Sequence, residues 1–135
     1  MKLQLQIITP EKNFFSGEVD RVSFRTTEGD IGVLPNHQPL TAIISIGTIR
    51  IKQDGNERKA SLIGGFAEIQ PDKVTILTDA AEWPEEIDVR RAEEAKRRAE
   101  ERLAKRTADI NVARAESALR RALIRLELSQ YNKNR

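Results

Sequence analysis

At 135 residues, with 39% hydrophobic and 33% charged side chains, the chain is long enough for one domain or for a small domain with an appendage, and it is globular rather than disordered. With no cysteine and one histidine it has no disulfide framework, thiolate metal centre, cysteine nucleophile or histidine-rich metal site. The formal net charge of +2 conceals an asymmetry: residues 1–87 hold 9 Lys/Arg against 13 Asp/Glu, and residues 88–135 hold 14 against 8, so an acidic body carries a basic arm suited to nucleic acid, anionic lipid, a nucleotide or an acidic protein surface.

No secretory pattern opens the chain and no apolar run reaches the length of a membrane span, which predicts a cytosolic protein. Leu3, Leu5 and Ile7 alternate with Gln4 and Gln6, the period of a half-buried strand. A turn at Thr9–Asn13 leads to a short strand at Phe14 and Phe15, ended by Ser16-Gly17. Val19–Thr26 reads as a third strand, followed by a turn at Glu28-Gly29-Asp30 and a short apolar strand at Ile31–Leu34. Two prolines stiffen the loop Pro35–Pro39. Leu40–Ile46 is a continuous apolar run that fits a strand covered on both faces.

Thr48–Gln53 alternates again. Asp54-Gly55 is a two-residue hairpin turn, and Lys59–Ile63 returns. Gly64-Gly65 allows a bend or a close backbone approach. Phe66–Ile69, a turn at Pro71-Asp72 and Val74–Thr78 complete eight to ten short strands, the pattern of a β sandwich or flattened antiparallel barrel.

The boundary lies at residues 79–87, predicting a β domain over 1–84 and a helical domain over 85–135. Pro84 does not fit a helix interior, Glu85-Glu86 suits a helix entrance, and Asp88 is an N-cap by type. Ala92, Ala95, Ala99 and Leu103 recur at helical spacing. After a turn at Asp109-Ile110-Asn111, so do Val112, Ala115, Leu119, Ala122 and Leu126. This predicts an antiparallel helical hairpin with an Ala-rich seam. Such a seam allows close approach but holds weakly, since a buried methyl contributes about 0.8 kcal/mol and a Leu about 1.5–3.

The chain contains no Walker A loop and no Ser/His/Asp constellation, so it does not read as an enzyme; His37 is a contact or turn residue. Arg91 and Arg98 share one helical face, and Arg121 and Arg125 share another. If the helices fold antiparallel, the four guanidinium groups suit a polyphosphate, with Glu82 and Asp88 as acceptors for an adenine amino group or ribose hydroxyls. The competing reading makes Asp88 a cap only and the arginines a solvated face paired with Glu93, Glu94, Glu100 and Glu101. A nucleic-acid-binding module with a basic arm is the alternative, though 4% aromatic content gives little for base stacking.

GDIGVLPNHQPL (Gly29–Leu40) and GGFAEIQPDKVTILTDAAE (Gly64–Glu82), followed by a helical hairpin, resemble the epsilon subunit of bacterial F-type ATP synthases over essentially the whole chain. The resemblance implies a β-sandwich foot against the gamma subunit and the c-ring of the central stalk (rotor), with Asp30 and His37 on the gamma/c-ring side. It implies a mobile two-helix domain that is permissive when folded. When extended toward the beta (and alpha) subunits, the helices inhibit ATP hydrolysis. It further implies a peripheral position on the cytoplasmic face of the cell membrane, and no nucleic acid partner. Ile87, Asp88, Arg91 and Ala92 are similar to the I-D-x-x-R-A motif of Bacillus-like, ATP-binding members, and Glu82, Arg98, Arg121 and Arg125 match the other nucleotide contacts. ATP is then a regulatory ligand, sensed and not hydrolysed; the motif does not fix whether magnesium accompanies it, and no residues read as a metal site of the chain itself. Two departures stand out: Asn36 where the family usually has Gly, and Trp83-Pro84 in the linker.

Overall fold

The computed structural model describes residues 1–105 and 111–133. The chain divides into two compact units, Met1–Glu82 and Trp83–Arg135.

The first unit is a sandwich of ten strands: β1 (Leu3–Ile8), β2 (Asn13–Val19), β3 (Arg21–Thr26), β4 (Gly29–Val33), β5 (Leu40–Ile43), β6 (Gly47–Gln53), β7 (Asn56–Leu62), β8 (Phe66–Ile69), β9 (Lys73–Leu77) and β10 (Ala81–Glu82). They form two five-stranded sheets, ordered β2-β1-β9-β8-β5 and β10-β7-β6-β3-β4. The sheets do not close into a barrel. A single bridge, Thr26 to Ile44, ties them at one corner, backed by bonds from Thr27 N–H to Ile43 O (3.0 Å) and Ser45 N–H to Arg25 O (3.0 Å). Alternation turns Leu3, Leu5, Ile7, Val74 and Ile76 of one sheet inward against Val22, Ile49, Ile51 and Leu62 of the other, all fully or almost fully buried.

Three local expectations change. The pairing is not antiparallel throughout, because β1 runs parallel to β9, with Leu5 beside Val74 and Ile7 beside Ile76. β2 continues through Ser16 and Gly17, which pair with Gln6 and Leu5, so the expected stop there is absent. The run from Leu40 is not covered on both faces. It forms the edge strand β5, paired only with β8, and Ile43 is 63% exposed. The apolar stretch reads like a core strand because composition alone does not separate burial in a core from exposure on an edge.

The turns follow their residue types. Asp54 (φ 51°) and Gly55 (φ 83°) make the left-handed pair of a tight hairpin between Gln53 and Asn56. At Gly65 (φ 105°) a Cβ would sit 1.9 Å from Leu77 O, so no larger residue fits there.

In the second unit, a 3₁₀ turn (Pro84–Glu86) precedes α1 (Val89–Lys105) and α2 (Val112–Lys133). Pro84 takes the first position of the turn, where its missing N–H costs nothing, and the Glu86 carboxylate accepts from Trp83 N–H at 2.8 Å. Asp88 caps α1, its Oδ1 accepting from Arg91 N–H at 3.1 Å; Asn111 caps α2 in the same way through Arg114 N–H at 3.1 Å. Of the expected turn residues, Asp109 and Ile110 lie outside the described residues.

The helices pack against each other, and α2 also touches the Pro84–Glu86 turn. With only residues 106–111 between them, that arrangement requires them to run antiparallel. The fully buried seam residues are Ala92, Ala99, Ala115 and Ala122, while Ala95, Leu103, Leu119 and Leu126 are half-buried. Val112, expected in the seam, is 40% exposed at the first position of α2, and Leu128 is buried instead.

Candidate functional site

The chain leaves the 3₁₀ turn in extended geometry at Ile87, and Asp88 uses one carboxylate oxygen as the α1 cap. Ile87 beside it is buried, and Ala92, one turn into α1, is part of the seam. Arg91 and Arg98 stand on the exposed side of α1. The neighbouring arginines are engaged along the helix, Arg90 with Glu94 (3.6 Å) and Arg97 with Glu101 (2.9 Å), both four residues apart. Among the described residues, Arg91 and Arg98 form no ion pair. The pairing with glutamates expected of a solvated face is therefore made by Arg90 and Arg97, while Arg91 and Arg98 are solvent-exposed without it.

On α2, Arg121 is half-buried and donates from Nη1 to Ser117 Oγ at 2.9 Å, which fixes its stem one turn back; Arg125 is also half-buried. The antiparallel arrangement puts the first half of α1 beside the second half of α2. Arg91 and Arg125 thus belong to the half of the helix pair that begins at Asp88, while Arg98 and Arg121 stand near the middle of their helices. Glu82 ends β10 in the first unit, where its N–H donates to Ser61 Oγ at 3.0 Å.

In the sandwich, Asp30 is exposed on β4 and accepts from Arg25 Nε at 3.1 Å, directly across the β3–β4 pair. His37 is half-buried in the Pro35–Pro39 loop. Its Nδ1 lies 2.7 Å from Gln38 O; since a carbonyl only accepts, Nδ1 is the donor of this bond. Asn36 adopts φ 69°, the geometry a Gly would supply, and its N–H donates to Pro71 O at 2.6 Å, so the loop keeps its shape.

One feature escaped the sequence reading. On the outer face of the first sheet, Ile43 lies opposite Phe66, Phe66 opposite Leu77, and Leu77 beside Ile8. This is an apolar row across four strands, with Phe66 48% exposed. The adjacent row, Thr41, Glu68, Thr75 and Gln6, is polar. An exposed apolar row with a polar margin marks a contact surface. Strand alternation was visible for each residue, but the row exists only through the order of the strands.

The family model described as ATP synthase, Delta/Epsilon chain, beta-sandwich domain matches residues 2–84, and the one described as the long alpha-helix domain of the same chain matches residues 85–130. The ATP synthase epsilon chain of Caldicellulosiruptor bescii is 46% identical over 132 residues, covering 98% of this chain and 96% of that one. The epsilon chain of Pelotomaculum thermopropionicum is 55% identical over 104 residues, 77% of this chain and 78% of that one. Among solved structures, a chain in the mitochondrial ATP synthase of Euglena gracilis (OSCP/F1/c-ring) has a TM-score of 0.83, covering 96% of this chain and 81% of that one; at 23% identity the likeness is one of fold.

Proposed function

The chain belongs to the ATP synthase delta/epsilon chain family, a non-catalytic component of that enzyme, and from this premise we propose that it is an epsilon subunit whose sandwich joins gamma to the c-ring and whose helix pair regulates ATP hydrolysis. The observation that carries the regulatory part is the seam. Among the described residues, four of the five buried apolar residues of α1 and α2 are alanines, Leu128 being the fifth, so the pair has little apolar surface to lose on opening. Ala and Arg favour helix on their own, so the helices survive separation. The extended arm, with its excess of positive charge, then reaches toward the beta and alpha subunits and inhibits hydrolysis.

ATP is the ligand that favours the closed pair. Arg91 and Arg98, unpaired along their own helix, and Arg121 and Arg125 on α2 supply guanidinium forks for the phosphates. Glu82 and the second oxygen of Asp88 serve as acceptors for the nucleoside. Ile87 and Ala92, both buried, shape the wall and do not donate. A ligand that binds only the closed state stabilises it by about 2.7 kcal/mol at a hundredfold excess over its Kd. Nothing in this scheme hydrolyses the nucleotide, and magnesium enters, if at all, with the phosphates.

The apolar row of Ile43, Phe66 and Leu77 supports a docking face for gamma, and the exposed Asp30 and the His37 loop support contacts with gamma and the c-ring. Among the described residues no helix is long and apolar enough to cross a membrane; attachment at the cytoplasmic face through the assembled complex is part of the proposal.

Truncation after Glu86 is the test of regulation. The assembled enzyme should hydrolyse ATP faster without the arm, and an unchanged rate sinks the inhibitory role. Nucleotide binding is tested separately, by calorimetry on the purified chain: Arg121→Ala with Arg125→Ala should abolish it. Asp88→Asn keeps a capping oxygen and removes the charge, so weakened ATP binding with unchanged helix stability separates the two roles of Asp88.

A further inference from the structure

The acidic first unit has a basic outer face on its second sheet. Residues pointing outward from β3, β6 and β7 include Arg21, Arg50, Lys52 and Lys59. The register sets Arg21 directly opposite Lys52, and Arg50 directly opposite Lys59. Like charges facing each other across a ladder destabilise the sheet, so the fold tolerates here an arrangement that its own stability disfavours. Among the described residues, Arg21, Arg50 and Lys52 have no ion pair that would relieve it. Glu57 on β7 lies directly opposite Lys52, so one carboxylate borders this face, while Asp20 and Asp54 at the same end are both taken up by Lys2.

The cations surround a hollow of about 340 Å³ lined by Arg21, Ser23, Arg50, Lys52, Gly55 and Glu57. Ser23 lies directly opposite Arg50, adding a hydroxyl donor between the guanidinium groups. Arg21 lies over Gly32 on β4, where a Cβ would come within 2.9 Å of its Nη2. The glycine therefore leaves room for this guanidinium to lie low across the sheet. Two guanidinium forks, an ammonium and a hydroxyl outnumber the Glu57 carboxylate around this hollow, and the excess of donors matches the tetrahedral, multiply charged oxygens of a phosphoryl group.

We propose that the outer face of β3 and β6 is a phosphoryl-binding site, distinct from the arginines of the helix pair, taking a soluble phosphate ester or the phosphate of an anionic lipid headgroup. Charge complementarity favours the ligand, and its binding relieves the like-charge opposition between Arg21 and Lys52.

The test is a titration of the isotope-labelled full chain with inorganic pyrophosphate at constant ionic strength, followed by amide NMR. The expected result is saturable shifts at Ser23, Arg50 and Lys52, weakened about tenfold or more in Arg21→Gln with Arg50→Gln. The same shifts should remain in Arg121→Gln with Arg125→Gln, which separates this site from the helix pair. Because Arg21 and Arg50 point outward, the double variant should keep its dispersed spectrum; Lys52→Gln serves as a second probe if it does not. A parallel sedimentation with phosphatidylcholine vesicles containing phosphatidylglycerol identifies the source. Vesicle binding lost in the double variant assigns the headgroup, and saturable pyrophosphate binding without vesicle binding assigns a soluble ester. Shifts that stay linear, or that persist in the double variant and in Lys52→Gln, together with no variant-sensitive vesicle binding, overturn the proposal.

Discussion

The two units bury different kinds of side chain. In the sandwich, Leu3, Leu5, Ile7, Ile49, Ile51 and Ile76 are wholly buried, each worth about 1.5–3 kcal/mol of burial. In the helix pair the buried apolar residues are Leu128 and four alanines, Ala92, Ala99, Ala115 and Ala122, each alanine worth about one methyl, near 0.8 kcal/mol. The strands of the first unit also depend on one another for their backbone hydrogen bonds, whereas each helix satisfies its own. The sandwich is therefore committed to one arrangement. Each helix makes its backbone hydrogen bonds without its partner, which is what the proposed opening of the pair requires.

The largest expected effect lies in the sandwich. Ile49→Ala should destabilise the first unit by about 2–5 kcal/mol, seen as a lower urea midpoint, while the helical circular dichroism at low denaturant stays unchanged. Parallel loss of strand and helix signals would mean that the units do not melt separately. A smaller effect is expected in the seam. Ala122→Leu forces extra methylenes between closely approaching helices and should weaken the pair by about 1–3 kcal/mol, without shifting the midpoint of the sandwich. Stabilisation by this substitution would mean that the seam is not closely packed.

The smallest effect concerns the clasp at the end of the sandwich. The Lys2 ammonium, which donates to both Asp20 and Asp54, together with the Asp54 N–H that donates to Asp20, holds the Asp20 carboxyl below its ordinary value of 3.8. Its contribution is therefore present above that value and is lost as pH falls through the lower folded-state value. Lys2 is shifted upward by the same two carboxylates, so its contribution is full below 10.5 and is lost as pH rises through the higher folded-state value. Asp20→Asn should thus lower the melting temperature by a constant amount between roughly pH 5 and pH 9, with the difference shrinking in acid below 3.8. A difference that grows on acidification would contradict the clasp. The helix pair should not respond to this substitution.

Local chemistry made much of the fold legible. Asp54-Gly55 specifies its hairpin, Gly64-Gly65 marks a close approach, and Asp88 is a cap by type and by contact. Pairings distant in sequence were not legible. Nothing in Leu3–Ile8 says that its second neighbour is a parallel strand near residue 75, and nothing in Leu40–Ile43 says that it lies on an edge. The seam shows the same limit within a helix. Val112 and Leu128 carry similar apolar side chains, yet the end of α2 exposes one and its packing buries the other. At the candidate site the residue types and their helical spacing were readable. Engagement of Arg90 and Arg97, but not Arg91 and Arg98, by carboxylates four residues on depends on rotamer and came only from the structure.

The parallel β1–β9 pair has a consequence for synthesis. β1 is made before the other strands, and it can pair with β2 as soon as that strand follows. Its other neighbour, β9, is made about seventy residues later. Until then Leu3, Leu5 and Ile7 have no completed sheet to cover them, so closure of the sandwich waits for nearly the whole first unit and is governed by a long-range contact. The helix pair is made afterward from neighbouring segments and forms through local contacts. The sandwich is thus the slow part to assemble and the part exposed to aggregation on the way, while the helix pair folds fast.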